Sequence, residues 1–442
     1  MTQITHARVL KVAGPIIISN ATVPLLGAVD TAVIGQLGQA APLGAVGLGA
    51  VILATLYWAF GFLRMSTSGL AAQAKGAGDE AEVSATLLRA LIVGLVAGLG
   101  LVVLHVPLIW AAFQIAPATS EVEGFARTYL AIRIWGAPAT IALYALTGWL
   151  IALERTRAVL FLQVWQNGLN IGLDLWFVMG LGWGIGGVAS ATLIAEWTGL
   201  GLGLFLARQA FGPILKAAWA RVPNPAALRQ TFRASRDIMA RSVILQLSFT
   251  TFVFLGARFG TATLAANHVL LQFLEITAFA LDGIAFAAET LVGQAMGARA
   301  VAEVRRACLL SFQWGFVGAG VMALAFLLAH GPIIDLLTTA PDVRAQARIY
   351  VPWLVAAPLI GVASWIYDGI FIGALLTRHM LRAMALSVAI YALALVLLVP
   401  NFGNHGLWAA LMILLVARAV TLWRASPAIW AQAGASARSS AE

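Results

Sequence analysis

Gln73–Val83 reads QAKGAGDEAEV, and Gln294–Val304 reads QAMGARAVAEV. Seven of these eleven positions are identical, at an offset of 221 residues in a chain of 442. The same offset pairs Ala126-Arg127 and Tyr129 with Ala347-Arg348 and Tyr350. It also pairs Gly148 with Gly369, and Thr156-Arg157 with Thr377-Arg378. One register holding over separated segments marks an internal duplication, with two halves of equal length.

The duplicated unit is set by composition. The chain is 61% hydrophobic and 10% charged, with a mean hydropathy of +0.91. An ordinary soluble domain carries about 25% charged residues, so water is not its main solvent. Apolar runs recur along the whole chain, each long enough to cross a hydrocarbon layer of roughly 30 Å. The ten-residue alternating segments of an outer-membrane barrel are missing, so the spans are read as helices. Twelve are expected, near 12–35, 42–64, 84–115, 124–152, 158–181, 187–208, 231–257, 262–296, 304–330, 344–376, 379–400 and 405–424. The longest polar connection lies between the sixth and seventh, with Pro213, Pro223 and Pro225. It divides the chain into an N-lobe (1–208), a linker expected on the cytoplasmic side (209–230) and a C-lobe (231–442) with a short tail. Six is an even number, so both halves enter the membrane in the same sense and form parallel repeats.

Net charge is +9, with 27 Lys and Arg against 18 Asp and Glu. No basic face is interleaved with aromatic residues, so nucleic acid is not an expected partner. The basic residues gather in the termini and even-numbered connections, while Gly182–Gly187 and Asn401–Asn404 carry no charge. The positive-inside rule then puts both termini in the cytoplasm of a bacterial-type plasma (inner) membrane. The first apolar run is longer than a signal-peptide core and is expected to remain as a span. The lone Cys308 has no disulfide partner in the chain. His105, His268, His330 and His405 lack metal-ligand spacing, and no metal or cofactor is expected. The glycines of GLGWGIGG follow no strand and precede no Walker lysine, so they read as a turn between spans.

An ionisable group in the bilayer needs a reason, because insertion at the centre costs roughly 2.5–3.5 kcal/mol. The acids inside the expected spans are Asp30, Asp174, Glu196, Glu275, Asp282, Glu289 and Asp368. Asp30 sits deep in the first span, which carries Pro15 and Pro24, each removing a backbone hydrogen bond and allowing a bend. Asn170 and Asp174 are four apart and share a helix face; Thr192 in the next span can add a hydroxyl, with Glu196 one turn further on. Glu275, Asp282 and Glu289 recur every seven residues along one face of the eighth span. For each acid the plain alternative is packing or an internal ion pair, with Arg241 or Arg418 as partners for the C-lobe set.

Several stretches carry a family resemblance: PIIISNATVPLLGAVDTAVIGQLG in the first span, STSGLAAQAKGAGD after the second, NIGLDLWFVMGLGWGIGGVASAT across the fifth and sixth, and LDGIAFAAETLVGQAMGAR in the eighth. In this order and at this spacing the chain resembles the multidrug and toxic compound extrusion (MATE) family, in its DinF-like branch, over nearly its whole length. The resemblance implies two lobes in a V and cation-coupled export of organic, often cationic or amphipathic compounds. It places a coupling carboxylate on the first span at Asp30, and makes Asn170, Asp174 and Thr192 members of the same N-lobe cluster. Two carboxyls in one apolar lobe are expected to share a proton and titrate as a unit. Thr147 is a further candidate for that cluster, and Asp282, Glu289, Tyr367 and Asp368 are candidates in the C-lobe. Some MATE branches bind sodium with acids of the seventh and tenth spans. Here the seventh offers Arg241 and Gln246 but no carboxylate, which favours protons. The alternatives are a sodium-coupled exporter and a lipid-linked precursor flippase of the wider superfamily, which often has more spans and a basic cavity. Neither an enzyme constellation nor a nucleotide domain is present in the sequence, and no obligatory protein partner is expected.

Overall fold

In lipid every backbone N–H and C=O of a span must be satisfied within the protein, which leaves apolar runs of this length as helices. A computed structural model of the chain describes residues 3–22, 29, 30, 32–36, 40–116 and 118–438. The described residues form helices and their connections, without a strand. In order these are α1 (His6–Ala21), α2 (Ala40–Trp58), α3 (Phe62–Gly76), α4 (Glu80–Val103), α5 (His105–Ile115), α6 (Ser120–Arg133), α7 (Ala137–Ala152) and α8 (Thr156–Asp174). There follow α9 (Gly184–Leu206), α10 (Leu215–Arg221), α11 (Pro225–Gly256), α12 (Thr261–Gly297), α13 (Val301–Leu337), α14 (Pro341–Gly373), α15 (Thr377–Ala425) and α16 (Pro427–Arg438).

Among the described residues, 9 helical stretches are long and apolar enough to cross a membrane. The longest, Thr377–Gly434, is interrupted at Gly403, whose φ of 53° and ψ of −130° are not helical, and so supplies two spans. The more polar α8 and the first span, of which 23–28 and 31 lie outside the described residues, complete twelve. The protein is an all-α polytopic membrane protein of twelve spans. Pro24 lies outside the described residues; Pro15 lies within α1.

The duplication is written in the backbone as plainly as in the sequence. Six residues with positive φ fall into three pairs at the offset of 221: Gly78 (73°) with Arg299 (56°), Glu154 (58°) with Leu375 (56°), and Gly182 (69°) with Gly403 (53°). Each of the first two pairs closes a helix with the same pair of bonds. The N–H of Gly78 donates to Lys75 and that of Asp79 to Ala74, as Arg299 does to Met296 and Ala300 to Ala295. Glu154 and Arg155 donate to Ile151 and Leu150, as Leu375 and Leu376 do to Ile372 and Phe371. This is the Schellman closure, and it satisfies carbonyls that the helix end would otherwise leave bare.

Helix contacts repeat as well. A Cβ at Gly148 would lie 2.3 Å from the Arg64 carbonyl oxygen, and one at Gly369 would lie 2.1 Å from that of Ala285. Arg64 and Ala285 are again 221 apart, so both glycines permit the same close crossing of two spans. Gly94 on α4 approaches Ile141 and Ala142 of α7, and Gly315 on α13 approaches Val362 and Ile366 of α14.

By internal contacts the chain divides into two units. One comprises Ile18–Ala74 and Asp79–Thr231, the other Met1–Ile17, Lys75–Gly78 and Phe232–Glu442. The start of α1 thus belongs with the second half, where the Ile4 N–H donates to Glu303 at 2.7 Å. The connection between halves is built rather than loose. It contains α10, and α11 already begins at Pro225, ahead of the expected 231. Arg89 of α4, 3% exposed, donates to the carbonyls of Arg221 and Val222 at 2.7 and 3.2 Å and pairs with Glu82 at 2.7 Å. Arg221 in turn pairs with Asp79 at 2.5 Å. Burial of the Asp79 carboxyl opposes its charge, but the Arg221 guanidinium and the backbone N–H of Glu82 outweigh it and hold the group below the usual carboxylate range.

Candidate functional site

The polar face of α8 is built from residues three and four apart: Asn167, Asn170 and Asp174, all buried. Asn167 accepts from Gln163 and donates 3.2 Å to the Thr22 carbonyl, which follows the last residue of α1. Asn167 thus reaches across helices to the backbone just past the end of α1. Asp174 closes α8, and the next six residues, Leu175–Gly180, continue as a π-helix. Such widened turns are rare and often sit where a side chain must be re-aimed.

Asn170 ties the cluster together. In the orientation that satisfies all its neighbours, its nitrogen donates to Asp30 Oδ1 and to Asp174 Oδ2, both at 3.2 Å, and its oxygen accepts from the Thr192 hydroxyl at 3.0 Å. Thr192 Oγ1 also lies 3.0 Å from the Val188 carbonyl. The Asn170 amide thus holds the two carboxyls side by side, and a bond between two carboxyls forms only when one of them carries a proton. Asp174 is 0% exposed and Asp30 half-buried.

A cation that the sequence reading did not single out lies close by. Arg133, at the end of α6, pairs with Glu196 of α9 at 2.7 Å, with Arg133 buried, Glu196 partly so, and Tyr57 and Tyr129 alongside. Its charge also reaches Asp30 and Asp174. Glu196 therefore takes the ion-pair reading, and Arg133 is the site neighbour that sequence reasoning missed. Thr147 turns away: its hydroxyl donates to the carbonyls of Leu143 and Tyr144 on its own helix, at 2.8 and 3.0 Å.

The second half holds a different arrangement. Arg241 and Arg418 both donate to Asp368 Oδ2, Arg418 at 2.6 Å. Asp368 thus takes the alternative of an internal ion pair, and with both candidate partners at once. Tyr367 beside it packs edge-on against Phe312 with ring centres 4.9 Å apart. Glu289 is 0% exposed on α12, Asp282 partly buried, and Glu275 exposed, so the seven-residue stripe runs from surface to core rather than along one cleft. Among the described residues no group of three or more His, Cys, Asp or Glu could hold a metal.

A duplicated six-span unit with a carboxyl pair in its first half defines a class, and the comparisons agree. The MatE family model matches residues 15–176 and 238–398, one match in each half. The chain belongs to the MatE family of membrane transporters, which are secondary transporters and not enzymes. It is 42% identical over 426 residues to DNA damage-inducible protein F of Escherichia coli (strain K12), covering 94% of this chain and 90% of that protein. It is 31% identical over 332 residues to the probable multidrug resistance protein NorM of Deinococcus radiodurans, covering 72% of this chain and 68% of that one. A solved structure described as "Crystal structure of MATE in the bent conformation" shares the fold with a TM-score of 0.87 at 19% identity, covering 97% of this chain and 96% of that one.

Proposed function

We propose that the protein is a proton-coupled antiporter that exports organic, often cationic or amphipathic compounds by alternating access, with Asp30 and Asp174 as the proton-carrying pair. The observation that carries this reading is the shared amide of Asn170, 3.2 Å from a carboxyl oxygen of each. With a proton in the pair, one carboxyl donates to the other and Asn170 serves both. Without it, two negative charges at about 4 Å repel by roughly 4 kcal/mol at an effective dielectric of 20. Arg133 offsets only part of that, because Glu196 already engages it. The strain falls on the first span, which has a backbone carbonyl at Thr22 held from outside its own helix. Loss of the proton then drives that span to a second position, and substrate release accompanies proton uptake from the far side.

Sodium coupling at the C-lobe is disfavoured because the Asp368 carboxylate already faces two guanidiniums. The relatives described as probable multidrug resistance proteins support an organic substrate. The working environment is a bacterial-type inner membrane with both termini cytoplasmic, a topology that a C-terminal reporter active only in its cytoplasmic form checks. The decisive test of coupling uses proteoliposomes with a pH gradient or a sodium gradient imposed alone, against a panel of dyes. Transport is expected with the pH gradient alone. Strict dependence on sodium at constant pH overturns the reading.

A further inference from the structure

The C-lobe holds a partly open cavity of about 370 Å³ between α11, α12, α14 and α15, within the size range of small-molecule sites. Its walls are mainly apolar, with Phe249 and Trp365 as the large surfaces and the amides of Gln246 and Gln272 as polar points. Arg418 lines it and Glu275 stands at its edge. Behind the wall, Arg241 and Arg418 share the single carboxylate of Asp368, so the buried trio keeps one excess positive charge. Arg418 is 3% exposed, and its Nε has no hydrogen-bond acceptor among the described residues. A buried guanidinium that shares its counter-ion with a second arginine and keeps a free donor is an incomplete ion pair, and it borders a cavity of ligand size. An oxyanion completes it; a cation would add to the excess charge.

We propose that this C-lobe cavity binds amphipathic organic anions, with Arg418 as the group that recognises a carboxylate and the aromatic and aliphatic walls taking the apolar body. The planar fork of arginine suits a carboxylate better than it suits a neutral amide. Glu275 carries the same sign as such a ligand and weakens its binding through space. The site stands apart from the Asp30–Asp174 pair, in the other half of the chain, and does not rest on proton coupling.

The test is binding to the full-length protein in detergent, with 1-naphthylacetate as probe and the neutral 1-naphthylacetamide as its control. The wild type is expected to prefer the carboxylate at least tenfold. Arg418→Gln leaves Arg241 paired one-to-one with Asp368, and is expected to remove that preference while amide binding stays within twofold. Glu275→Gln, at an exposed position, is expected to tighten carboxylate binding two- to fivefold without moving the amide. It serves as the second arm should Arg418→Gln fail to fold. Equal binding of carboxylate and amide by the wild type overturns the proposal. So does a preference that survives Arg418→Gln, or carboxylate binding that Glu275→Gln leaves unchanged. None of these outcomes bears on transport driven by a pH gradient.

Discussion

Where the first half buries Asp174, the second has Leu395; Asn170 corresponds to Tyr391 and Asp30 to Thr251, all at the offset of 221. The turns that bracket the fifth and eleventh spans match, Glu154 with Leu375 and Gly182 with Gly403, although Leu175–Gly180 is a π-helix and the matching residues 396–401 stay α-helical. Even the direction of the contact is kept. Asn170 reaches from the fifth span to Asp30 on the first, and Tyr391 reaches from the eleventh to the Ser248 carbonyl on the seventh, at 3.3 Å. The ionisable chemistry is not kept. Conversely Asp368, held by two arginines, corresponds to Thr147, which bonds only its own helix. Duplication preserved the turns and glycine crossings that set the frame, and left each half to bury charge at its own place and of its own sign. The first half carries two carboxyls that share one amide. The second carries a cationic trio locked by ion pairs.

That contrast predicts opposite responses to the loss of a carboxylate. Asp368→Leu strands two buried guanidiniums and is expected to cost about 3–5 kcal/mol, read as a large drop in Tm in detergent. Asp174→Leu removes one amide bond and the carboxyl–carboxyl bond of the protonated pair but strands no buried charge, so its Tm is expected to fall far less than that of Asp368→Leu while exchange is lost. Equal losses of stability would break the contrast between a functional cluster and a structural one. The frame itself is tested by Gly148→Leu and Gly369→Leu. Each drives a side chain into a facing carbonyl, and each is expected to destabilise its half by about 1–3 kcal/mol or more through overpacking. A harmless change at one of the two would show that the crossings are not equivalent.

Smaller effects sharpen the picture. Thr192→Val removes the hydroxyl that orients the Asn170 amide, and is expected to cost about 0.6 kcal/mol, the average for a hydrogen bond between spans. Its more telling readout is the pH profile of exchange, which should shift while Tm hardly moves. A comparably small change is expected for Asp79→Asn at the linker, where an exposed ion pair contributes about 0.2–1 kcal/mol. The Asp79 carboxyl is held below the usual range in the folded protein. Its contribution is therefore full above about pH 4 and fades as pH falls through the folded value. The wild type and Asp79→Asn should converge in stability on acidification, in thermal melts taken from pH 7 to pH 3.

The sequence carried the repeat, the number of spans and the in-span acids Asp30 and Asp174, because each leaves a local trace: an identical motif, an apolar run, a charge where lipid forbids one. Glu154 and Leu375 left none. Both adopt positive φ without being glycine, so nothing in their side chains announces the turn. The Arg133–Glu196 pair was equally silent, since its members are 63 residues apart and join only when α6 packs beside α9. Arg133 sits near the end of an expected span, and only the fold shows it buried. Thr147 was placed with the cluster by analogy, whereas a hydroxyl inside a helix readily folds back on its own carbonyls. Arg241 and Arg418 were legible as partners for Asp368, but that both would share one carboxylate oxygen depends on three helices meeting at a point.

The central claim is that the Asp30–Asp174 pair carries the transported proton. It is tested most directly by proton release from the purified protein in lightly buffered detergent, with a pH-sensitive dye, on addition of a substrate identified by the proteoliposome screen. The wild type is predicted to release protons in proportion to substrate bound. Asp30→Asn, whose amide matches the protonated acid in size but has no proton to give, is predicted to bind substrate and release none. Release of the wild-type amount by a folded, substrate-binding Asp30→Asn protein would contradict the account.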